Sequence, residues 1–260
     1  MRVLSGSGDP DAFFRRLRAA PARVLLLDYD GTLAPFHVQR DQASPYPGAR
    51  EAVRRIMDQG RTRVVVVSGR SLEDLRERLG LEPAPELWGT HGWERLHAGG
   101  HVEGRDPGKA ALAALQAGRR LAEREVPAER VEVKPASVAV HVRGLAERDA
   151  RRILEATRAA WGSLCGEGTV EIREFDGGVE LRVPGEHKGT AVTRILSEAP
   201  VGAAVAYLGD DLTDEDAFAA LEGRGLAVLV RDALRETSAD VWIKPPEELL
   251  GFLERWHENT

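Results

Sequence analysis

Apolar positions fall in two rhythms along this chain. Val24–Leu27 and Val64–Val67 are short unbroken apolar runs, the pattern of strands buried on both faces, and they predict strands over Arg23–Tyr29 and Thr62–Val67. Helical spacing predicts helices over Asp11–Ala20, Gly48–Gly60 and Ser71–Leu79, the last stopped by Gly80, with a short strand over Glu86–Thr90. Met1–Asp9 reads as loose, and Ala34–Pro47 as a loop rich in proline. From Val102 to Val183 the order becomes helix (Lys109–Arg124), two half-alternating strands (Val131–Lys134, Ser137–Val142), helix (Ala146–Trp161), and a hairpin (Thr169–Glu174, Gly178–Val183) turned at Asp176-Gly177-Gly178. The first rhythm then resumes with helices over Thr190–Glu198, Thr213–Leu221 and Pro246–His257 and strands over Ala203–Leu208, Leu226–Val230 and Val241–Ile243.

The alternation of the outer segments implies an α/β core with a parallel sheet, built from residues 1–101 and 184–260. The αββαββ order of residues 102–183 implies an inserted α+β domain with a small antiparallel sheet. Strand ends in an open parallel sheet gather ligands at their carboxyl edge. Asp28, Ser68 and Asp210 each lie just past such an end, so distant stretches of chain are expected to meet there.

Composition narrows the classes. With 260 residues, 42% of them hydrophobic, the chain holds enough apolar surface for one large or two modest domains. A net charge of −6 argues against nucleic acid as a partner, yet a bound cation can still make room for a phosphorylated small molecule. Cys165 is the single cysteine, so a reducing, cytoplasmic setting is expected. Every apolar run is far shorter than a transmembrane span, which predicts none, and a soluble monomer is expected.

Asp28-Tyr29-Asp30-Gly31-Thr32 carries the strongest chemical signal. Two carboxylates two positions apart at a strand end point to the same side, which is costly unless a cation or a proton separates their roles. The arrangement suits Asp28 as nucleophile toward phosphorus and Asp30 as the acid that protonates the leaving oxygen and later deprotonates water. Asp210-Asp211-Leu212-Thr213-Asp214-Glu215-Asp216 places five acids in seven positions, fitting either a hard-cation site or an acidic helix start capped by Thr213. Asp210 and Asp211, ahead of the cap, are the better metal candidates. Ser68-Gly69-Arg70 suits a phosphate oxygen or ordinary turn chemistry. Lys188 is a candidate to neutralise phosphate, or a solvated loop lysine; the surrounding residues do not form a P-loop. In the inserted segment Lys134, His141, Arg143 and Glu180 fit either a sugar-binding sheet face or a solvated one, and His91-Gly92-Trp93-Glu94 either a substrate-facing loop or a turn around a buried Trp.

Together these stretches resemble the haloacid dehalogenase superfamily of phosphotransferases: Asp28–Thr32 resembles its first motif, Ser68 its second, Lys188 its third and Gly209-Asp210-Asp211 its fourth. More narrowly, His91-Gly92-Trp93-Glu94, Lys134 through His141-Val142-Arg143, Glu180–Pro184 and His187-Lys188-Gly189 resemble the trehalose-6-phosphate phosphatases. The resemblance runs from about Val24 to Phe252. It implies a Rossmann-like core with an inserted substrate-specificity cap, and a Mg2+ cofactor held by Asp28, the Asp30 carbonyl and Asp210, with Asp211 beside them. It also implies phosphoryl binding by Ser68 and Lys188, and substrate contacts from Thr32, Gly69, Arg70, His91, Glu94, Lys134, His141, Arg143 and Glu180. The implied activity is hydrolysis of trehalose 6-phosphate through an aspartyl-phosphate. The alternatives are a phosphatase for sucrose phosphate or a mannosyl-glycerate phosphate, and a non-catalytic sugar-phosphate-binding module.

Overall fold

The computed structural model describes residues 1–4, 8–37, 42–165 and 168–260, in two units, Met1–Glu103 with His187–Thr260 and Gly104–Glu186. The larger unit runs β1 (Arg2–Val3), α1 (Pro10–Ala19), β2 (Arg23–Leu27), α2 (Ala49–Asp58), β3 (Thr62–Val67), α3 (Leu72–Leu79), β4 (Glu86–Gly89), β5 (Glu94–Leu96) and β6 (Val102–Gly104). After the smaller unit it resumes with α6 (Lys188–Glu198), β11 (Ala204–Gly209), α7 (Glu215–Leu221), β12 (Leu226–Val230), β13 (Val241–Ile243) and α8 (Glu247–Glu258).

Alternation along the strands decides the layering. Leu25 and Leu27, Val64 and Val66, Ala206 and Leu208 point to one core, where they meet Phe14 of α1, Val53 and Ile56 of α2, Leu75 of α3, and Phe252 and Trp256 of α8. Their neighbours Val24 and Leu26, Val65 and Val67, Val205 and Tyr207 point to a second core against Val192 and Ile195 of α6 and Phe218 of α7. The central strands of the sheet are thus covered by helices on both faces, which is why they carry unbroken apolar runs rather than an alternating pattern. Strand order is β1-β13-β12-β11-β2-β3-β4-β5-β6. The run β13 to β4 is parallel, with β1 and β5 antiparallel to their neighbours β13 and β4.

Register sets up the site. Leu27 pairs with Val66 on one side and Leu208 on the other, so the chain leaves the sheet at Asp28, Ser68 and Asp210 along one edge. The Asp28 N–H still donates to Leu208 O at 2.9 Å, and the Ser68 N–H to Trp88 O at 2.8 Å.

The smaller unit holds α4 (Lys109–Glu125), β7 (Val131–Lys134), β8 (Ser137–His141), α5 (Glu147–Gly162), β9 (Glu171–Phe175) and β10 (Gly178–Arg182). Its antiparallel sheet is ordered β7-β8-β10-β9, with α4 and α5 packed on each other and on the sheet. Trp161 is fully buried in α5, and its indole N–H donates to Gly118 O of α4 at 2.9 Å.

Several elements differ from the sequence expectations. Arg2–Val3, expected to be loose, adds an edge strand, and two strands without a sequence expectation extend the large sheet: β5, which starts on Glu94 at the end of the stretch read as a loop or a turn, and β6 at the opening of the inserted segment. The helix expected from Thr213 starts at Glu215, after a separate tight turn at Leu212–Asp214. The expectations for residues 5–7 and 38–41 lie outside the described residues. Among those described, no helix is long and apolar enough to cross a membrane.

Candidate active site

Asp28, at the end of β2, is 3% exposed, and its Oδ1 accepts from Lys188 Nζ at 2.7 Å. Lys188 opens α6, and of its two readings the solvated loop lysine fails: the ammonium is buried and donates also to Asp214 Oδ1 at 2.7 Å. Asp214 is saturated. Its Oδ1 takes Lys188 and the Tyr207 hydroxyl (2.5 Å), and its Oδ2 takes the N–H groups of Asp210 (3.1 Å) and Asp211 (2.9 Å). Gly209 makes this packing possible, because a Cβ there would stand 2.4 Å from the Asp214 carboxyl carbon.

Asp210 is 1% exposed, and neither of its carboxylate oxygens has a hydrogen-bond partner among the described residues; the same is true of Asp28 Oδ2. Such atoms are costly unless something else pairs them. Asp28, Asp210 and Asp214 each bring one oxygen to within 4.8 Å of the others. The donor set fits a hard divalent cation, and since Asp214 is fully used by protein donors, Asp28 and Asp210 are the carboxylates left to hold it. Gly31, at φ +89°, keeps the opening clear, since a Cβ there would lie 2.2 Å from Asp210 Oδ2.

The electrostatics agree. Burial pushes the Asp28 carboxyl up to about 7, with Asp214 and Asp30 adding to the rise and Lys188 opposing it. Burial, then Asp28 and Asp214, drives Asp210 well above the carboxylate range. Burial alone would lower Lys188, but Asp214 and Asp28 outweigh it and hold the ammonium charged. Lone carboxylates in this pocket resist ionisation, and a cation beside them reverses that.

Asp30 stands apart from that trio. Arg70 grips both of its oxygens, Nε to Oδ2 and Nη2 to Oδ1, each at 2.7 Å. Arg70 is itself 1% exposed, donates to Asp74 Oδ2 at 2.5 Å, and lies over the Tyr29 ring. Arg70 is therefore the group that orients Asp30. Ser68 is buried, its Oγ accepting from the Arg70 N–H at 3.2 Å, and Thr32 is buried with no partner for its hydroxyl among the described residues. The His91 ring packs against Gly69. Thr90 and His91 hold φ of 49° and 57°, a left-handed pair that costs ~1–3 kcal/mol per residue. The pair is pinned by Thr90 N–H to Arg70 O (2.7 Å) and His91 N–H to Ser68 O (2.9 Å).

Two expected residues fall elsewhere. Asp211 does not join the trio: it caps the turn at Leu212, accepting from that N–H at 2.5 Å, because the tight turn sends Asp214 inward in its place. Glu94 is half-buried on β5 and accepts from Thr90 Oγ1 at 2.7 Å. In the smaller unit, Glu180 Oε1 accepts from Lys134 Nζ (2.9 Å) and Ser137 Oγ (2.7 Å), and His141 Nε2 lies 2.9 Å from Glu132 Oε2. Arg143 donates to Asp176 O at the β9–β10 turn. Asp214 was legible only as one of the acids of the helix start, and Tyr207 and Glu132 were not singled out. Of those two, Tyr207 gave a signal: a lone phenol in an otherwise aliphatic strand needs a buried partner.

A family model, trehalose-phosphatase, matches residues 26–240. The chain belongs to the trehalose-phosphatase family. A trehalose-phosphate phosphatase of Mycobacterium marinum is 33% identical over 266 residues, covering 97% of this chain and 65% of that protein. The chain spans less than two thirds of the length of such curated relatives, 65% here and 61% for the protein of Mycobacterium avium. Among solved structures, the Candida albicans trehalose-6-phosphate phosphatase C-terminal domain superposes with a TM-score of 0.84 at 20% identity, with 99% of both chains covered. A haloacid dehalogenase-like hydrolase from Bacteroides thetaiotaomicron superposes at 0.62 and 17% identity, covering 90% of this trehalose-phosphatase family member and 99% of the other chain. These two likenesses concern the fold, a haloacid dehalogenase-type α/β core carrying an inserted α+β segment.

Proposed function

We propose that this chain hydrolyses trehalose 6-phosphate to trehalose and phosphate through an aspartyl-phosphate formed on Asp28. The observation that carries the reading is the buried trio of Asp28, Asp210 and Asp214, with Lys188 paired to Asp28 and Asp214, in a chain of the trehalose-phosphatase family. Asp28, Asp210 and the Asp30 carbonyl would hold Mg2+, which when bound supplies positive charge to the phosphoryl oxygens and lowers the proton affinity of the carboxylates.

This chain's own groups do the rest. A carboxylate oxygen of Asp28 attacks phosphorus; the bond from phosphorus to the sugar's O6 breaks, and Asp30 delivers a proton to that oxygen. Asp30 then accepts a proton from water as the water oxygen attacks the aspartyl-phosphate, releasing phosphate and restoring Asp28. Lys188, held charged by Asp28 and Asp214, offsets charge on the transferring group, and Ser68 and Thr32 offer hydroxyls to its oxygens. Arg70 aims Asp30. The smaller unit acts as the cap that reads the sugar, through the polar face bearing Lys134, Glu180 and His141.

The test is phosphate release by the purified chain with Mg2+ from trehalose 6-phosphate, sucrose phosphate and mannosyl-glycerate phosphate. The expected result is preference for the first, abolished in Asp28→Asn with the fold intact. Turnover by Asp28→Asn near the native rate overturns the nucleophile, and preference for another sugar phosphate overturns the substrate.

A further inference from the structure

Asp210 poses a positioning problem. Its carboxylate is buried and accepts from no donor among the described residues, so no side-chain hydrogen bond from them aims it. Its direction must be set by its backbone. On the N–H side, Asp214 Oδ2 holds the amides of Asp210 and Asp211. On the carbonyl side the holder comes from the loop between β12 and β13. Arg235 donates from Nη2 to Asp211 O at 2.8 Å, and from Nη2 and Nε to Asp210 O at 3.3 and 3.4 Å. Arg231 Nη1 adds a contact to Asp210 O at 3.4 Å.

Arg235 is in turn fixed. Its Nη1 donates to Glu215 Oε1 and, at 2.7 Å, to Glu236 O. Glu215 also accepts from Thr237 Oγ1 (2.8 Å) and from Ser238 N (2.8 Å) and Oγ (2.7 Å). Burial pushes Glu215 up, but the donors at Ser238, Arg235 and Thr237 outweigh it and keep it ionised. The guanidinium is thus a planar fork seated between one carboxylate and three carbonyls, those of Asp210, Asp211 and Glu236, a task a lysine's single ammonium cannot reproduce.

We propose that Arg235 is a positioning residue for the divalent-cation site: it clamps the Asp210 and Asp211 carbonyls so that the Asp210 carboxylate faces Asp28. The proposal rests on the reading of Asp28 and Asp210 as cation ligands. Arg235 works through the backbone, since its donors meet the Asp210 and Asp211 carbonyls and not the Asp210 carboxylate. Outer-shell partners of this kind are worth ~10–100-fold in metal affinity.

The experiment titrates Mn2+ into the full chain, reading the loss of the free-ion electron paramagnetic resonance signal, in the native protein, Asp210→Asn, Arg235→Gln and Arg235→Lys. Thermal midpoints in EDTA report folding. The expected result is tight binding by the native chain, loss in Asp210→Asn, a ~10–100-fold weakening in Arg235→Gln, and an intermediate weakening in Arg235→Lys. Raising Mg2+ is then expected to restore phosphate release by Arg235→Gln, which a merely structural defect would not permit. Native affinity in Arg235→Gln overturns the positioning role and leaves the cation site standing. Equal binding by the native chain and Asp210→Asn overturns the cation site itself, and the proposal with it. Should Arg235→Gln be unfolded in EDTA, Arg235→Lys decides, and native affinity in that variant overturns the two-carbonyl clamp.

Discussion

Lys188 Nζ and Asp28 Oδ1 stand 2.7 Å apart, joined across 160 positions of sequence. The same ammonium reaches Asp214 Oδ1 at 2.7 Å, so one buried cation balances two buried carboxylates. Removing it leaves both uncompensated. Lys188→Met is expected to lose turnover and ~3–5 kcal/mol of stability. Urea unfolding read beside phosphate release checks both halves. A native unfolding midpoint would mean that the pairing contributes nothing to the fold.

Asp30 is expected to matter in proportion to how poor the leaving group is. A sugar alkoxide needs a proton as it departs, whereas p-nitrophenolate does not. Asp30→Asn should therefore lose ~10²–10⁴-fold on trehalose 6-phosphate. On p-nitrophenyl phosphate it should release a burst of nitrophenolate and then stall, because the water step still lacks its base. Stopped-flow absorbance shows the burst. Equal losses on both substrates with no burst would remove Asp30 from the proton transfers.

The parts of this molecule that were legible in the sequence are those written in runs. Val24–Leu27 and Val64–Val67 announced doubly covered strands because both faces are buried, and the change of rhythm near Val102 announced a second kind of sheet. Strands β1, β5 and β6, of two or three residues each, are too short to show a period. Asp28, Ser68 and Asp210 could be placed on one edge because each follows a readable strand. The choice between Asp211 and Asp214 could not be made, since it depends on a single tight turn that carries one carboxylate inward and leaves the other as a cap. Arg235 left no trace either: it lies in an irregular stretch, and its role depends on carbonyls that any residue would supply.

Glu180 offers a separate handle on specificity. It is buried at 4% side-chain exposure, yet it is held by Lys134 and Ser137 on a sheet face lined with further polar groups. If that face reads the sugar, Glu180→Gln should cost trehalose 6-phosphate ~1.5–3 kcal/mol in kcat/KM, the scale of a charged hydrogen bond. A small aryl phosphate, which has no sugar to be read, should be unaffected. Parallel kcat/KM measurements on the two substrates decide it, and a matching loss on the aryl phosphate would place Glu180 in stability rather than recognition.

Far from the Asp28 edge, Glu198 closes an ionic cluster that predicts a pH dependence of stability. It accepts from Arg95 Nη1 and Nη2, each at 2.7 Å, and from Arg63 Nη2 at 2.6 Å, while Glu86 ties the same two arginines together and takes the Trp88 indole N–H. The hydrogen bonds from Arg95, with Arg63 supporting them against desolvation, hold the Glu198 carboxyl down to about 2 from its ordinary 4.5. A carboxyl whose folded pKa is depressed lends stability that is fully present above its unfolded value and is lost as pH falls through the folded one. The window is therefore about 4.5 down to about 2. Glu198 is 38% exposed, so solvent screens the pair and its worth stays near the surface scale of ~0–1 kcal/mol. The thermal midpoint of Glu198→Gln should lie slightly below that of the native protein at neutral pH, and the gap should narrow steadily as pH drops below about 4.5. Scanning calorimetry across that range checks it, and a gap that widened toward acid would reverse the sign and show that Glu198 is strained rather than stabilised by its arginines.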